Sequence, residues 1–105
     1  MIAQIWKGWT SSHNADGYEH FTRTDILPAL KSIEGSCGAY ILRKDLGSEV
    51  EFCVITLFES LDAVRAFAGG DYSVPVIELE ARRLLSRVEP IARHYEVRSA
   101  PHALN

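Results

Sequence analysis

Cysteine is scarce in this sequence, with only Cys37 and Cys53 among 105 residues. That excludes a fold built on a disulfide framework. The two fall on the arms of a hairpin predicted to turn at Gly47. Pairing about that turn sets Cys53 opposite Ile41 and Cys37 opposite Leu57, which offsets the two sulfurs by roughly 13 Å along the strands. A disulfide needs Cα atoms within about 7 Å. Both thiols are therefore expected to be reduced, acting as small hydrophobes in apolar strands. Long apolar runs are missing too. The longest uncharged apolar stretch, Phe52 to Phe58, is far too short to span a bilayer. The start, MIAQIWKGW, has neither a charged n-region nor a long apolar h-region, so no signal peptide is expected and the cytoplasm is the expected compartment.

Basic clusters are missing as well. Net charge is −3 with a pI near 5.7, and Lys and Arg are scattered, which argues against nucleic acid as a partner. No GxGxxG, P-loop, GxSxG or CxxC occurs, so a nucleotide cofactor has no visible seat. His13 and His20 lie two helical turns apart, roughly 10 Å, too far to share one ion. His102 falls in the tail, and nothing has the spacing of HExxH. Neither a metal nor a cofactor is expected.

What the chain does have is an ordinary globular composition, 47% hydrophobic, 24% charged and 10% aromatic, which suits one domain over residues 1–105. Residues 2–9, IAQIWKGW, read as a strand rich in β-branched and aromatic side chains. Ser11, Ser12 and Asn14 offer N-caps, with Asp16 in a first helical turn. Tyr18, Phe21, Ile26, Leu30 and Ile33 then keep helical spacing. Pro28 should kink or split that helix, and Gly35 stops it. Residues 37–45 form a second strand, Leu46-Gly47-Ser48 a turn, and 49–58 a third strand whose apolar end suggests burial on both faces. Ser60 caps a helix over LDAVRAFA, ended by Gly69-Gly70. Residues 71–90 are irregular. Pro75 is placed to open a helical turn through VIELEA, and Arg82 to Glu89 is ambiguous. Residues 91–98 form the last strand, giving a core of 1–98 and a tail of 99–105 that ends APHALN.

The order is β-α-β-β-α-β. A right-handed crossover and a central hairpin make this an α+β, ferredoxin-like antiparallel sheet with helices on one face. Its strands carry Trp6, Trp9, Tyr40, Phe52, Phe58 and Tyr95, too many large apolar groups for one side. A second such sheet would cover the open face, so a homodimer is expected.

Three segments, LPALKSIEGSCGAYILRKD, EVEFCVITLFESLDAVRAFAGGDY and VEPIARHYEV, resemble the antibiotic biosynthesis monooxygenase family of dimeric α/β barrel proteins. FESLDAVRAFAG carries the resemblance most clearly, and it extends over nearly the whole chain. It implies a pocket in each monomer between sheet and helices. Some members oxidise polycyclic phenols to quinones with molecular oxygen and neither metal nor flavin, and others degrade haem. The haem-degrading branch uses an asparagine on the first strand, a tryptophan on the helix after strand three and a histidine beyond it. Here those places are held by Trp6 or a neighbour, by Phe67 and by Ile77. Haem iron needs an axial His, Cys, Met or Tyr, which Ile77 cannot supply. The resemblance thus points to a cofactor-independent monooxygenase acting on an aromatic small molecule. The alternatives are a non-catalytic binding or stress-response dimer of the same fold, and a dimer whose cavity is filled by Trp6, Phe21, Phe58 and Phe67.

His94 is the candidate catalytic base, since a histidine can exchange a proton near neutral pH. In the last strand Ala92, His94 and Glu96 share one face, while Ile91, Arg93, Tyr95 and Val97 take the other. The apolar set claims a packed face, which sends His94 to the opposite side, either the helix-covered pocket or the dimer face. The competing role is a structural hydrogen bond. Trp6 and Trp9 lie on opposite faces of the first strand, so one can line a pocket while the other packs in an interface. With Tyr18, Phe21, Phe67 and Tyr72 they form the candidate substrate-binding set. Each could equally be a core residue. Arg43 is expected to pair with Glu51 across the hairpin, and Arg65 to be solvated.

Overall fold

Alternation along the first and third strands divides the sheet into two unlike faces. The computed structural model describes residues 1–101. β1 spans Ile2–Ser11 and pairs antiparallel along its length with β3, Glu49–Phe58. Trp6, Gly8 and Thr10 are buried on one face of β1 while Ile5, Lys7 and Trp9 take the other. Their β3 partners on the covered face are Val54, Phe52 and Val50. β2, Ser36–Asp45, completes the hairpin with β3, and the sheet order is β2-β3-β1 with β4, Arg87–Val88, and β5, Arg93–Glu96, sharing the far edge of β1. This is the expected α+β, ferredoxin-like arrangement, an antiparallel sheet with helices on one face.

The hairpin register differs by one residue from that expected for a turn centred on Gly47. Leu42 faces Cys53 and Arg43 faces Phe52. A one-residue shift exchanges faces. Arg43 therefore does not pair with Glu51. It reaches over the covered face to Asp16 at 2.8 Å, Glu19 at 3.3 Å and Asp45 at 3.3 Å. The ladder slips between Ser36 and Ala39, at Gly38 with φ +99°, the form of a β-bulge. Both cysteines are free, Cys37 exposed and Cys53 half-buried.

The first helical region is one run with a widened middle: α1 over Ala15–Phe21, a π-helical turn over Thr22–Ile26, and α2 over Leu27–Lys31. Pro28 has no N–H and its ring would collide with the Thr24 carbonyl of a regular turn. The extra residue of a π turn relieves this, and the Leu27 N–H reaches Thr22 O instead. The expected split at Pro28 is thus an expansion just before it. α1 lays Tyr18 edge-on against Phe52, ring centroids 4.8 Å apart. Both rings are buried, each worth roughly 1.5–3 kcal/mol. α3, Leu61–Ala68, is capped by the Ser60 hydroxyl accepting from the Ala63 N–H at 3.2 Å.

The sequence reading departs most over residues 71–98. VIELEA forms no helical turn at Pro75. The helix, α4, begins only at Leu79 and runs to Leu84. The last strand is cut to β5 because Pro90 cannot donate to the ladder, and the edge is split in two. Ile91 and Tyr95 do not claim a packed face in the chain; they are 53% and 54% exposed. The helix-covered face receives His94 instead.

Two glycines give opposite expectations. Gly35 has φ +84°, and a Cβ there would stand 2.5 Å from the Ala63 Cβ. Gly17 is helical with open space around it. In denaturant titrations Gly35→Ala should lose at least about 2 kcal/mol, and Gly17→Ala should gain about 0.5–1 kcal/mol. Equal effects of the two substitutions would contradict this account of the 32–36 corner.

Candidate functional site

Between sheet and helices lies a narrow cleft with a free volume of about 80 Å³. Its floor is Gln4 and Trp6 of β1 with Val54 and Thr56 of β3. Tyr18, Thr22 and Ile26 form one wall, and Phe67 with the strap Pro75–Glu78 forms the other. The π turn contributes Thr22 and Ile26, so the widened helix lies on the cleft. Ile26, Leu30, Phe67, Val76 and Glu78 also line a wider outer groove of about 530 Å³, which adds Phe21 and Leu79. The cavity is not filled by Trp6, Phe21, Phe58 and Phe67. Phe58 is fully buried and packs on Phe67, centroids 5.6 Å apart, without lining the cleft.

Of the candidate substrate-binding residues, the fold brings Trp6, Tyr18 and Phe67 to the inner cleft and Phe21 to the outer groove. The Trp6 indole N–H donates to the Glu89 carbonyl at 2.9 Å, which fixes the ring as a wall. Trp9 lies on the opposite face of the sheet. Its indole donates to Glu51 at 3.2 Å and Arg87 stacks on it at 4.0 Å. Tyr72 is separate as well, in a side recess with His94, Arg65, Asp71 and Ser73.

His94 stands outside the inner cleft but touches it through one residue. Its Nε2 lies 2.8 Å from Gln4 Oε1. A carboxamide oxygen can only accept, so Nε2 carries the proton, and in the neutral ring Nδ1 keeps its lone pair. Tyr72 packs edge-on against the ring at 4.8 Å. Burial holds the His94 pKa below its ordinary 6.5. The structural hydrogen bond that competes with the catalytic reading is therefore present, and its partner is a cleft residue.

Gln4 and Thr56 escaped the sequence reading. They are cross-strand partners, and both face the cleft. The available signal was parity: each is a polar residue on the same face as the buried aromatic residues of its strand. Tyr18 is the most unusual polar group here. It is 2% exposed, and burial pushes its phenol up to about 12, with no hydrogen-bond partner contributing. Since among the described residues no buried side-chain polar atom is sealed off without a partner, and Tyr18 lines the cleft, this hydroxyl opens onto it. It is a protonated donor at neutral pH. Glu78 is the one charged residue lining the inner cleft. Among the described residues no three His, Cys, Asp or Glu side chains gather as a metal site, and no helix is long and apolar enough to cross a membrane.

No protein-family model matches the sequence, and no curated protein does. Solved structures do. A Deinococcus radiodurans protein assigned as an antibiotic biosynthesis monooxygenase superposes with a TM-score of 0.67 at 14% identity, covering 97% of each chain. A Bacillus cereus protein with the same assignment gives 0.64 at 18%, covering 95% of each. The haem degrader MhuD from Mycobacterium tuberculosis, solved with two haems in its active site, gives 0.62 at 19%, covering 96% of this chain and 99% of its own. At these identities the likeness shows a shared fold, and it is the fold of the family that the sequence resembles.

The His94 environment yields a pH expectation. Its folded pKa lies below the unfolded value, so the unfolded chain binds more protons in that interval. Its contribution is fully present above about pH 6.5 and is lost as pH falls through the lowered folded pKa. In urea titrations from pH 7.5 to 5, His94→Gln should lose less stability than the parent chain. Parallel pH curves would contradict the buried neutral ring.

Proposed function

We propose that this protein is a cofactor-independent monooxygenase acting on an uncharged aromatic small molecule, working as a homodimer in the cytoplasm. The observation that carries the reading is the hydroxyl of buried Tyr18, without a side-chain hydrogen-bond partner among the described residues, in a mostly apolar, aromatic-walled cleft. The substrate's rings would lie along the cleft and outer groove, with a phenolic oxygen turned inward to Tyr18 and to the Gln4 carboxamide N–H. Two donors at that oxygen stabilise the anion formed when the substrate's proton passes to solvent at the mouth of the cleft, and a solvent proton later returns to the peroxide. The anion gives one electron to O2, the resulting superoxide and substrate radical combine to a hydroperoxide, and loss of water leaves a carbonyl. One oxygen atom enters the product and the other leaves as water, with all four electrons coming from substrate. The water-poor cleft favours this path by excluding competing protonation.

His94 serves this chemistry through Gln4. Its Nε2–H would hold the amide oxygen and leave the amide N–H2 free to meet the substrate. That makes it a positioning residue, with Trp6, Phe21 and Phe67 as walls. Trp9 and Tyr72 have no contact with the proposed substrate. The dimer reading rests on the open sheet face, where Tyr40, Leu42 and Tyr95 are 43%, 45% and 54% exposed. A second copy would cover these groups. The cytoplasmic reading rests on the two free thiols. Haem degradation is not extended to this chain. The cleft lining holds no His, Cys or Met, and its Tyr18 stays protonated up to about pH 12.

A second reading, a binding dimer without turnover, is favoured by one observation: no histidine lines the inner cleft. Oxygen uptake with 1-naphthol and hydroxylated anthrones distinguishes the two. The enzyme reading expects quinone formation with one water per O2 consumed, and a fall of about 10²-fold in Tyr18→Phe. Tight binding with no oxygen uptake above background would leave only the binding reading.

A further inference from the structure

The mouth of the cleft carries charge of one sign. Asp25, Glu78 and Glu80 line the outer groove, and no Lys, Arg or His lines it. Asp25 and Glu78 are exposed. Glu80 has a long contact of 3.5 Å to Arg83, and no cation comes to Glu78 or Asp25 among the described residues. Inside, Glu78 is the one charged residue, and the other polar groups are neutral: the Tyr18, Thr22 and Thr56 hydroxyls and the Gln4 carboxamide. Three of the arginines are held by carboxylates elsewhere. Arg43 is taken by Asp16, Glu19 and Asp45, Arg87 by Glu49, and Arg93 by Glu89.

We infer that this cleft selects its ligand by charge and shape together: it takes a flat apolar molecule that presents one neutral hydroxyl or carbonyl oxygen at its narrow end, and it rejects the carboxylate of the same skeleton. The inference rests on the proposed site but not on turnover. Two features set the selection. The inner space of about 80 Å³ admits only the tip of a ring system, and that tip meets hydrogen-bond donors without a counter-ion. A carboxylate there would be desolvated with no cation to receive it. It would also have to pass the carboxylates at the mouth, whose repulsion acts over a Debye length of about 8 Å at physiological salt. The body of the ligand lies in the wider groove against Phe21 and Leu79. Tyr18 and Gln4 are therefore specificity determinants as well as the donors of the proposed chemistry, and Asp25 and Glu80, which line only the outer groove, form an anion filter away from it.

The test compares 1-naphthol, naphthalene and 1-naphthoate by quenching of Trp6 fluorescence in a Trp9→Phe background, where Trp6 is the one remaining indole. 1-Naphthol should bind about tenfold more tightly than naphthalene, the factor expected for one hydrogen bond of ordinary strength, and at least tenfold more tightly than 1-naphthoate. Tyr18→Phe should narrow the naphthol–naphthalene gap and leave naphthoate excluded. Asp25→Asn/Glu80→Gln, or ionic strength raised to about 1 M, should strengthen naphthoate several-fold with naphthol unchanged. Naphthoate binding as tightly as naphthol to the unaltered mouth would overturn the inference, as would a naphthoate affinity indifferent to both the double variant and salt. If charge selection holds while no oxygen is consumed, the enzyme reading alone fails. If oxygen is consumed but naphthoate binds freely, the inference alone fails.

Discussion

Glu89 holds together the edge of this sheet where the ladder between β4 and β5 is interrupted. Its backbone N–H donates to the Lys7 carbonyl at 2.9 Å, and its own carbonyl accepts from the Trp6 indole. One carboxylate oxygen accepts from the Lys7 N–H at 2.9 Å, and the other from Arg93 at 2.6 Å. A residue with every backbone and side-chain polar atom engaged stands where Pro90 breaks the edge strand. Buried ladder groups left open would each cost about 1–3 kcal/mol. The carboxylate supplies the acceptor that the missing strand pairing would have offered. Two consequences follow for the site. Trp6 is fixed as a cleft wall, and β5 rejoins β1 in the register that puts His94 opposite Gln4.

The site is then a consequence of what the covered face can and cannot fill. Phe52, Phe58 and Tyr18 close the core. Beside them the π turn, which accommodates Pro28, brings Thr22 and Ile26 onto the cleft. The space left over is small and mostly apolar, with neutral donors at Tyr18 and Gln4 and one carboxylate, Glu78, in its lining. Such a place strengthens hydrogen bonds to an oxygen that gains charge, because little water competes. It also keeps the Tyr18 phenol protonated. The same burial keeps His94 neutral, which suits a residue whose role is to hold an amide and not to carry charge.

Much of this was legible in the sequence because period-two and helical spacing are strong signals. The third strand, 49–58, and the helix 61–68 with its Ser60 cap appear with the expected bounds. The face occupied by His94 followed from parity alone, although the sign of that face did not. Tyr95 and Ile91 looked like core because they are apolar, yet in the single chain they face outward, where a partner copy would cover them. Arg43 was misassigned through a one-residue error in the register of the Gly47 turn. The strap over 75–78 read as helical because proline opens helices, but the regular structure waits until Leu79. Glu89 and Gln4 gave little local signal. Their importance comes from contacts spanning 82 to 90 residues, which no window along the chain can show. The family resemblance reached the fold, and fold alone does not assign a reaction.

The central claim is that ligand recognition belongs to the covered face, at Gln4, Trp6 and Tyr18, and not to the open face where Trp9 lies. The two tryptophans make this measurable in one experiment, since each carries an indole N–H on a different face of β1. In a ¹H–¹⁵N spectrum of the full chain titrated with 1-naphthol, the Trp6 indole and the Gln4 carboxamide resonances should shift together with a common affinity, while the Trp9 indole stays in place. Shifts confined to the Trp9 indole, with Gln4 and Trp6 unmoved, would contradict the account.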